Sequence, residues 1–350
     1  MPFALIWLVP AVYWVGDRKK NTAFDEVLHF ASYLAMGWLN FAFFISVARD
    51  VGTMVAVSFS GLGRAYDFLA GDSGAALVAG ASFVALAAGS AAALRGPRVR
   101  RVDIPVEGLH PGLEGLRIVQ ITDLHVGPTI GERYVRRVVR MANELEGDLV
   151  ALTGDFVDGP VARLAADVAP LAELEPKDRR FFILGNHEYY SGASQWIEHF
   201  RAMGIRPLLN ESVCLSIGES RLLVGGVLDP AGGAQQPPRP DLAAAGGEGA
   251  SFRLLLAHNP KLAPLGASAG FDLQLSGHTH AGQFFPWTLA VRLVHAPHVA
   301  GLSREGKMWV YVSAGTGSWG PPVRFGSEPE LTLLRLISAP PPAAGSRTAR

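Results

Sequence analysis

Five short blocks of carboxylates, imidazoles and amides punctuate the chain, each just after an apolar, β-branched run: ITDLHVG (121–127), LTGDFVDG (152–159), LGNHEYY (184–190), LLAHNP (255–260) and LSGHTHAGQ (275–283). These are the side chains that ligate divalent metals, and a side chain at the end of a buried strand is aimed with little freedom. Asp123 and His125 flank Leu124, so an extended backbone turns both to one side. Asp155 follows Gly154, and Asn186 and His187 follow Gly185. His258 ends a further run, and His278 and His280 flank Thr279. Each block alone has an ordinary reading as a turn carboxylate or a hydrogen-bonded histidine. All five in one chain call for metal chemistry. The mixed nitrogen and oxygen set suits Mn²⁺, Fe or Zn²⁺ rather than Ca²⁺ or a thiolate zinc site. It also exceeds what one ion uses. Two ions about 3.5–4 Å apart with a bridging carboxylate are the economical arrangement, one that activates water and stabilises phosphoryl oxygens.

The elements that must carry these blocks are visible in the surrounding pattern. LRIVQIT (116–122), DLVALT (148–153), RFFIL (180–184), RLLVGGV (221–227), FRLLLA (252–257), FDLQLS (271–276), MWVYVS (308–313) and LTLLRLI (331–337) read as strands, several too uniformly apolar to face water on either side. Residues 132–146 set Val135, Val138, Val139 and Ala142 at helical spacing with Arg and Glu opposite, as a crossover helix requires. A layered α/β unit follows. Residues 231–250 and 338–350 are rich in Gly, Pro and Ala without periodicity, and predict a mobile loop and a disordered tail.

The chain of 350 residues has no net charge, which gives a nucleic-acid groove no support from bulk electrostatics. Its single cysteine, Cys214, excludes an internal disulfide and a cysteine zinc site. Residues 28–48 and 75–94 are apolar and reach the roughly 20 residues that a helix needs to cross a bilayer. Residues 3–15 lack a basic start and a small-x-small site, so they read as an anchor rather than a cleaved leader, although Pro10 interrupts them. Basic clusters at Arg18–Lys20 and at Arg95, Arg98, Arg100 and Arg101 place two crossings between them and both clusters inside. The catalytic unit then faces the cytoplasm at the inner membrane of a multi-pass protein. Residues 51–62, apolar but short, are the weak point: a crossing there reverses the side.

The ordered set D-x-H, G-D-x-x-D, G-N-H-E, H and G-H-x-H over residues 118–283 resembles the calcineurin-like metallophosphoesterase family. GNHEYYSG (185–192), SGHTHAGQ (276–283), GTGSWGPPVR (315–324) and the apolar N-terminus are similar to its membrane-anchored bacterial branch. The resemblance implies a four-layer αββα sandwich at 102–338, preceded by a helical transmembrane region at 1–101 and followed by a disordered tail at 339–350. It implies that Asp123, His125, Asp155 and His280 hold one metal and that Asp155, Asn186, His258 and His278 hold the second, with Asp155 bridging. Hydroxide between the ions would attack phosphorus, His187 would serve the leaving oxygen, and Asp158 would orient His187. The substrate implied is a phosphodiester or pyrophosphate, and the membrane segments add a lipid-linked phosphate to the classes expected. The chain departs from the family's phosphatases at Gly159, where they carry an Arg that clamps a monoester, and Ala281 stands where many relatives have Gly. A metal-binding scaffold without turnover, a phosphomonoesterase and a nuclease of the same fold are the competing readings.

Overall fold

The structure, a computed structural model, describes residues 23–339. The apolar run at 3–15, the basic cluster at 18–20 and residues 340–350 lie outside them. The described residues open with three α-helices, α1 (Ala23–Ser58), α2 (Gly63–Ala70) and α3 (Asp72–Leu94). Then follow β1 (Arg98–Val106), β2 (Arg117–Ile121), α4 (Glu132–Asn143), β3 (Leu149–Leu152), α5 (Val161–Val168), β4 (Arg180–Phe182), α6 (Asn186–Ser191), α7 (Ala193–Ala202), β5 (Arg206–Pro207), β6 (Glu211–Ile217) and β7 (Ser220–Gly226). The last third comprises α8 (Pro240–Ala244), β8 (Phe252–Leu256), α9 (Ala263–Ser268), β9 (Leu273–Ser276), α10 (Trp287–His295), β10 (Gly301–Glu305), β11 (Met308–Val312) and β12 (Glu330–Ser338).

Among the described residues twelve strands form two six-stranded sheets, ordered β1-β12-β2-β3-β4-β5 and β10-β11-β9-β8-β7-β6. Strands β2 to β5 run parallel, as do β7, β8, β9 and β11, so the carboxyl ends within each set leave its sheet on one side. Alternation explains why these strands are apolar throughout. Ile118, Leu149, Leu254 and Leu273 fill the core between the sheets. Val119, Val150 and Leu152 turn the other way, against Val135, Val138 and Val139 of α4 and Trp196 and Phe200 of α7. Leu223 and Leu255 pack beneath Ala243 of α8 and Ala263 of α9. Four layers, αββα, result.

The eight expected strands and the crossover helix all form, with strand ends within two residues of expectation and the helix ending three residues early, at Asn143. Strand β1 was not foreseen, because VRRVD shows little hydrophobic signal: it pairs with β12 over nine residues along a sheet edge, where its arginines stay exposed. The boundary expected between 101 and 102 therefore falls inside β1. The stretch read as a mobile loop contains α8, whose Ala243 is fully buried.

The apolar N-terminal part of the described chain is a hairpin of α1 and α3. Residues 51–58 continue α1 instead of forming a separate segment. Two helices, over Val27–Ser58 and Asp72–Leu94, are long and apolar enough to cross a membrane. Core helices of soluble domains bury such faces. Here Met54 is 71% and Val84 69% exposed. The base of the hairpin packs on the β-sandwich: Phe41 lies against Phe284 and Phe325, and Arg324 N donates to Gly89 O at 2.9 Å.

Candidate metal centre

Every block singled out above lies just beyond a strand or a short turn, at the edge where both sheets end. The backbone there is unusual. Asp123, His125, Asp155, His278 and His280 all adopt positive φ, between 50° and 73°, which costs a residue with a β-carbon of order 1–2 kcal/mol. Asp123 N donates to Gly154 O and His125 N to Asp155 O, so the turns after β2 and β3 brace each other. Gly154, at φ 90°, admits His258 Nδ1 where a Cβ would approach it to 2.7 Å, and a Cβ at Gly277 would strike Asp123 Oδ2. Ala281, at φ 50°, keeps the left-handed turn at a cost that glycine would not incur.

The structure brings all nine expected residues into one connected network. Asp123, His125 and His280 form one group that could hold a cation, Asp155, His258 and His278 another, and His125, Asp158 and His187 a third, each with its candidate ligand atoms within 4.8 Å. His280 Nε2 is 3.4 Å from Asp123 Oδ1 and 2.9 Å from His125 Nε2. Asp155 Oδ2 reaches toward both groups, 3.0 Å from His258 Nε2 and 4.0 Å from His125 Nε2. Asn186 Oδ1 lies 2.9 Å from His278 Nδ1. Asp158 Oδ1 faces His187 Nδ1 at 2.7 Å and, beyond expectation, also His125 Nδ1 at 2.9 Å.

These residues fit divalent cations. His258 Nε2 is buried and makes no aligned hydrogen bond despite its proximity to Asp155. Two imidazole Nε2 atoms, of His125 and His280, face each other next to a buried carboxylate. A cation would replace the proton between them and give the orphaned nitrogen a partner.

Charge in the site follows from burial and neighbours. Burial opposes ionisation of Asp155, yet His258, His125 and His187 outweigh it and hold the carboxyl well below the usual range. Burial raises Asp123, against the pull of His258. His280 is pushed well down by burial and Arg324, and His278 to about 3 by burial and His258, so both rings are neutral donors. Burial also works against charge on His258 and His187, but Asp155 carries the first well above its ordinary value and Asp158 carries the second to about 9.

Three functional residues were missed. Glu188, within the quoted GNHE, accepts from the backbone N–H groups of Gly185 (2.7 Å), Asp155 (2.9 Å) and Phe156 (2.6 Å), tying two ligand turns together. Burial and Asp155 raise its carboxyl to about 7. The signal was there: Glu three residues after a helix-opening Gly is a capping pattern. Arg324 is buried, donates to the carbonyls of His280 (3.0 Å) and Ala314 (2.8 Å) and lies 3.1 Å from His280 Nδ1. Arg163, on the unforeseen α5, occupies the space that a side chain at Gly159 would take, with Nη2 3.5 Å from Asp158 O. The cation absent at 159 thus enters from four residues further along. A cleft of ≈ 690 Å³ stands over the ligands, walled by Asp158, Arg163, Tyr190, Trp319 and, from α1, Tyr33.

Fold, ligand order and strand-end geometry together define a metallophosphoesterase, and the chain belongs to the calcineurin-like phosphoesterase family, whose sequence profile matches residues 116–282. It is 37% identical over 270 residues to the transmembrane protein with metallophosphoesterase domain of Bos taurus, covering 70% of this chain and 58% of that protein. An uncharacterized metallophosphoesterase of Helicobacter pylori (strain J99) is 35% identical over 245 residues, covering 69% and 64%. Phosphodiesterase YaeI of Escherichia coli (strain K12) is 30% identical over 237 residues, covering 63% and 82%. The chain spans less than two thirds of the length of the first two relatives.

Proposed function

We propose that this chain is a membrane-anchored hydrolase of phosphodiester or pyrophosphate bonds that works with two divalent cations, Mn²⁺, Fe or Zn²⁺. Asp123, His125, Asp155 and His280 would hold one, and Asp155, Asn186, His258 and His278 the other. Bound there, the cations supply an acidified water and positive charge against phosphoryl oxygens. The chain's own residues do the rest. With Nδ1 held by Asp158, His187 carries its proton on Nε2 and gives it to the leaving oxygen. Arg163 faces the cleft beside Asp158 and takes a non-bridging oxygen.

One observation carries this reading: the Asp158–His187 pair beside two ligand groups that share Asp155. A metal store has no use for a proton-carrying pair. The phosphodiesterase name of the Escherichia coli relative supports the diester class. Tyr33 of α1 and Trp319 at the cleft wall support a substrate with an apolar part, such as a lipid-linked phosphate. The absence of net charge speaks against a nucleic acid.

The test uses the full chain purified in detergent, stripped with chelator and reloaded with each metal. An activated diester should be hydrolysed and chelation should abolish turnover. Failure of all three metals on diester, pyrophosphate and monoester substrates would leave the scaffold reading in its place.

A further inference from the structure

Helix α10 exposes its apolar side chains. It contains no buried residue: Leu293 is 90% exposed, and Trp287, Leu289 and Val294, with Phe285 just before the helix, are all at least 45% exposed. Arg292 stands exposed among them. A contiguous group of this size on a folded surface marks an interaction site. Its position says with what. Trp287 Nε1 donates to Asn40 Oδ1 at 3.0 Å and its ring meets Phe44 edge-on, while Asn40 Nδ2 donates to Phe285 O at 3.1 Å, so α10 is fixed beside the middle of α1.

The length of the hairpin gives a second, independent argument. The α1 and α3 side chains packed in the cluster of Phe284 and Val323 end at Ile45 and begin at Ala85. Beyond them, residues 46–58 and 72–84 stand clear of that cluster for only about 20 Å at 1.5 Å per residue. A bilayer's hydrocarbon core is about 30 Å thick. The deficit is about 10 Å, and interfacial helices sink roughly 5–10 Å into the boundary between headgroups and acyl chains. The stretch of α1 that must make up the difference is the stretch that α10 flanks.

We propose that α10 is an interfacial helix whose partner is the lipid itself: it lies in the bilayer surface with Phe285, Trp287, Leu289 and Leu293 among acyl chains and Arg292 toward phosphates. Tryptophan and arginine suit that depth. The His295 ring at the end of α10 lies 5.3 Å from that of His278, so the depth of this helix also sets the height of the metal centre above the membrane. The inference rests on the reading that the hairpin inhabits a bilayer.

The experiment places one nitroxide at a time on the full chain, reconstituted in phosphatidylcholine–phosphatidylglycerol vesicles, in a Cys214→Ser background. Leu293→Cys reports on α10, Phe83→Cys on the hairpin and Leu242→Cys on the exposed face of α8, which packs on β6 and β7. Collision with oxygen and with a neutral nickel chelate is then compared. Leu293 should resemble Phe83, rich in oxygen and shielded from nickel. A Leu293 label as open to nickel as Leu242 overturns the proposal. If Phe83 is open too, the membrane reading itself has failed. Shielding that disappears on diluting the protein in lipid, with dipolar broadening between labels, would mean that a second copy covers α10, and would equally overturn it.

Discussion

One oxygen of Asp158 serves two imidazoles, His187 and His125, and this sharing links the proposed proton donor to a proposed metal ligand. The two roles are separable by substitution. Asp155→Asn should lose metal and activity together, because the charge that reaches both ligand groups is gone. His187→Ala should keep its metals and lose about 10²–10⁴ in rate, the usual worth of a positioned acid. Elemental analysis beside single-turnover kinetics decides it; a metal-free His187→Ala protein would make His187 a ligand. Arg163→Ala should raise KM for a diester about tenfold or more with little change in kcat, the mark of lost ground-state binding. Unaltered KM would remove Arg163 from the substrate's path.

Protons and metals compete for the same nitrogens. In the metal-free protein His187 and His258 have raised pKa values, so their charged forms stabilise the fold fully below their unfolded value, about 6.5, and that contribution fades as pH rises through the folded values, about 9 for His187. The melting temperature of the metal-free protein should therefore fall from neutral pH toward pH 9 and beyond. Metal uptake must discharge His258, so the melting shift on adding metal should grow over the same range, and calorimetry in buffers of different ionisation enthalpy should detect released protons. No proton release at pH 7 would contradict the raised value of His258.

At the scale of elements, the strand-end turns decide whether the ligands meet at all. Gly277→Ala would push a methyl group against Asp123 Oδ2 and Thr122 Oγ1. The expected cost is about 1–3 kcal/mol of overpacking and strain, with metal content lost before the fold. A variant that melts lower yet binds metal normally would show that the turn can relax. The blocks around these turns were legible because a polar ligand after a buried strand breaks the apolar pattern abruptly, as at Asp123, Asp155 and His278. Their supports were not. Arg324 is fully buried although arginine ordinarily signals surface, Glu188 acts on the backbone of Asp155, 33 residues earlier, and β1 is an exposed edge strand that hydrophobic patterning cannot register.

For the whole molecule, the described helices give a hairpin whose two long limbs both return to the catalytic unit. Sequence patterning identified the limbs but not their seat, since nothing in the composition of residues 28–48 says that Phe41 meets Phe284 and Phe325. We expect the catalytic unit on the cytoplasmic side, from the basic residues that flank the apolar runs. A fluorescent protein fused after Ser338 should then fluoresce in the cytoplasm, whereas activity of an export-dependent phosphatase fused there would reverse the assignment.

Tyr33 belongs to α1 and yet walls the cleft above the ligands. Cutting away the anchor to obtain a convenient soluble enzyme would therefore open one side of the substrate sieve, and would also bare Phe284, Phe325 and Val323, which the hairpin covers. A fragment of that kind should accept bulkier phosphates than the intact protein, and its catalogue of substrates would describe the fragment rather than the whole chain.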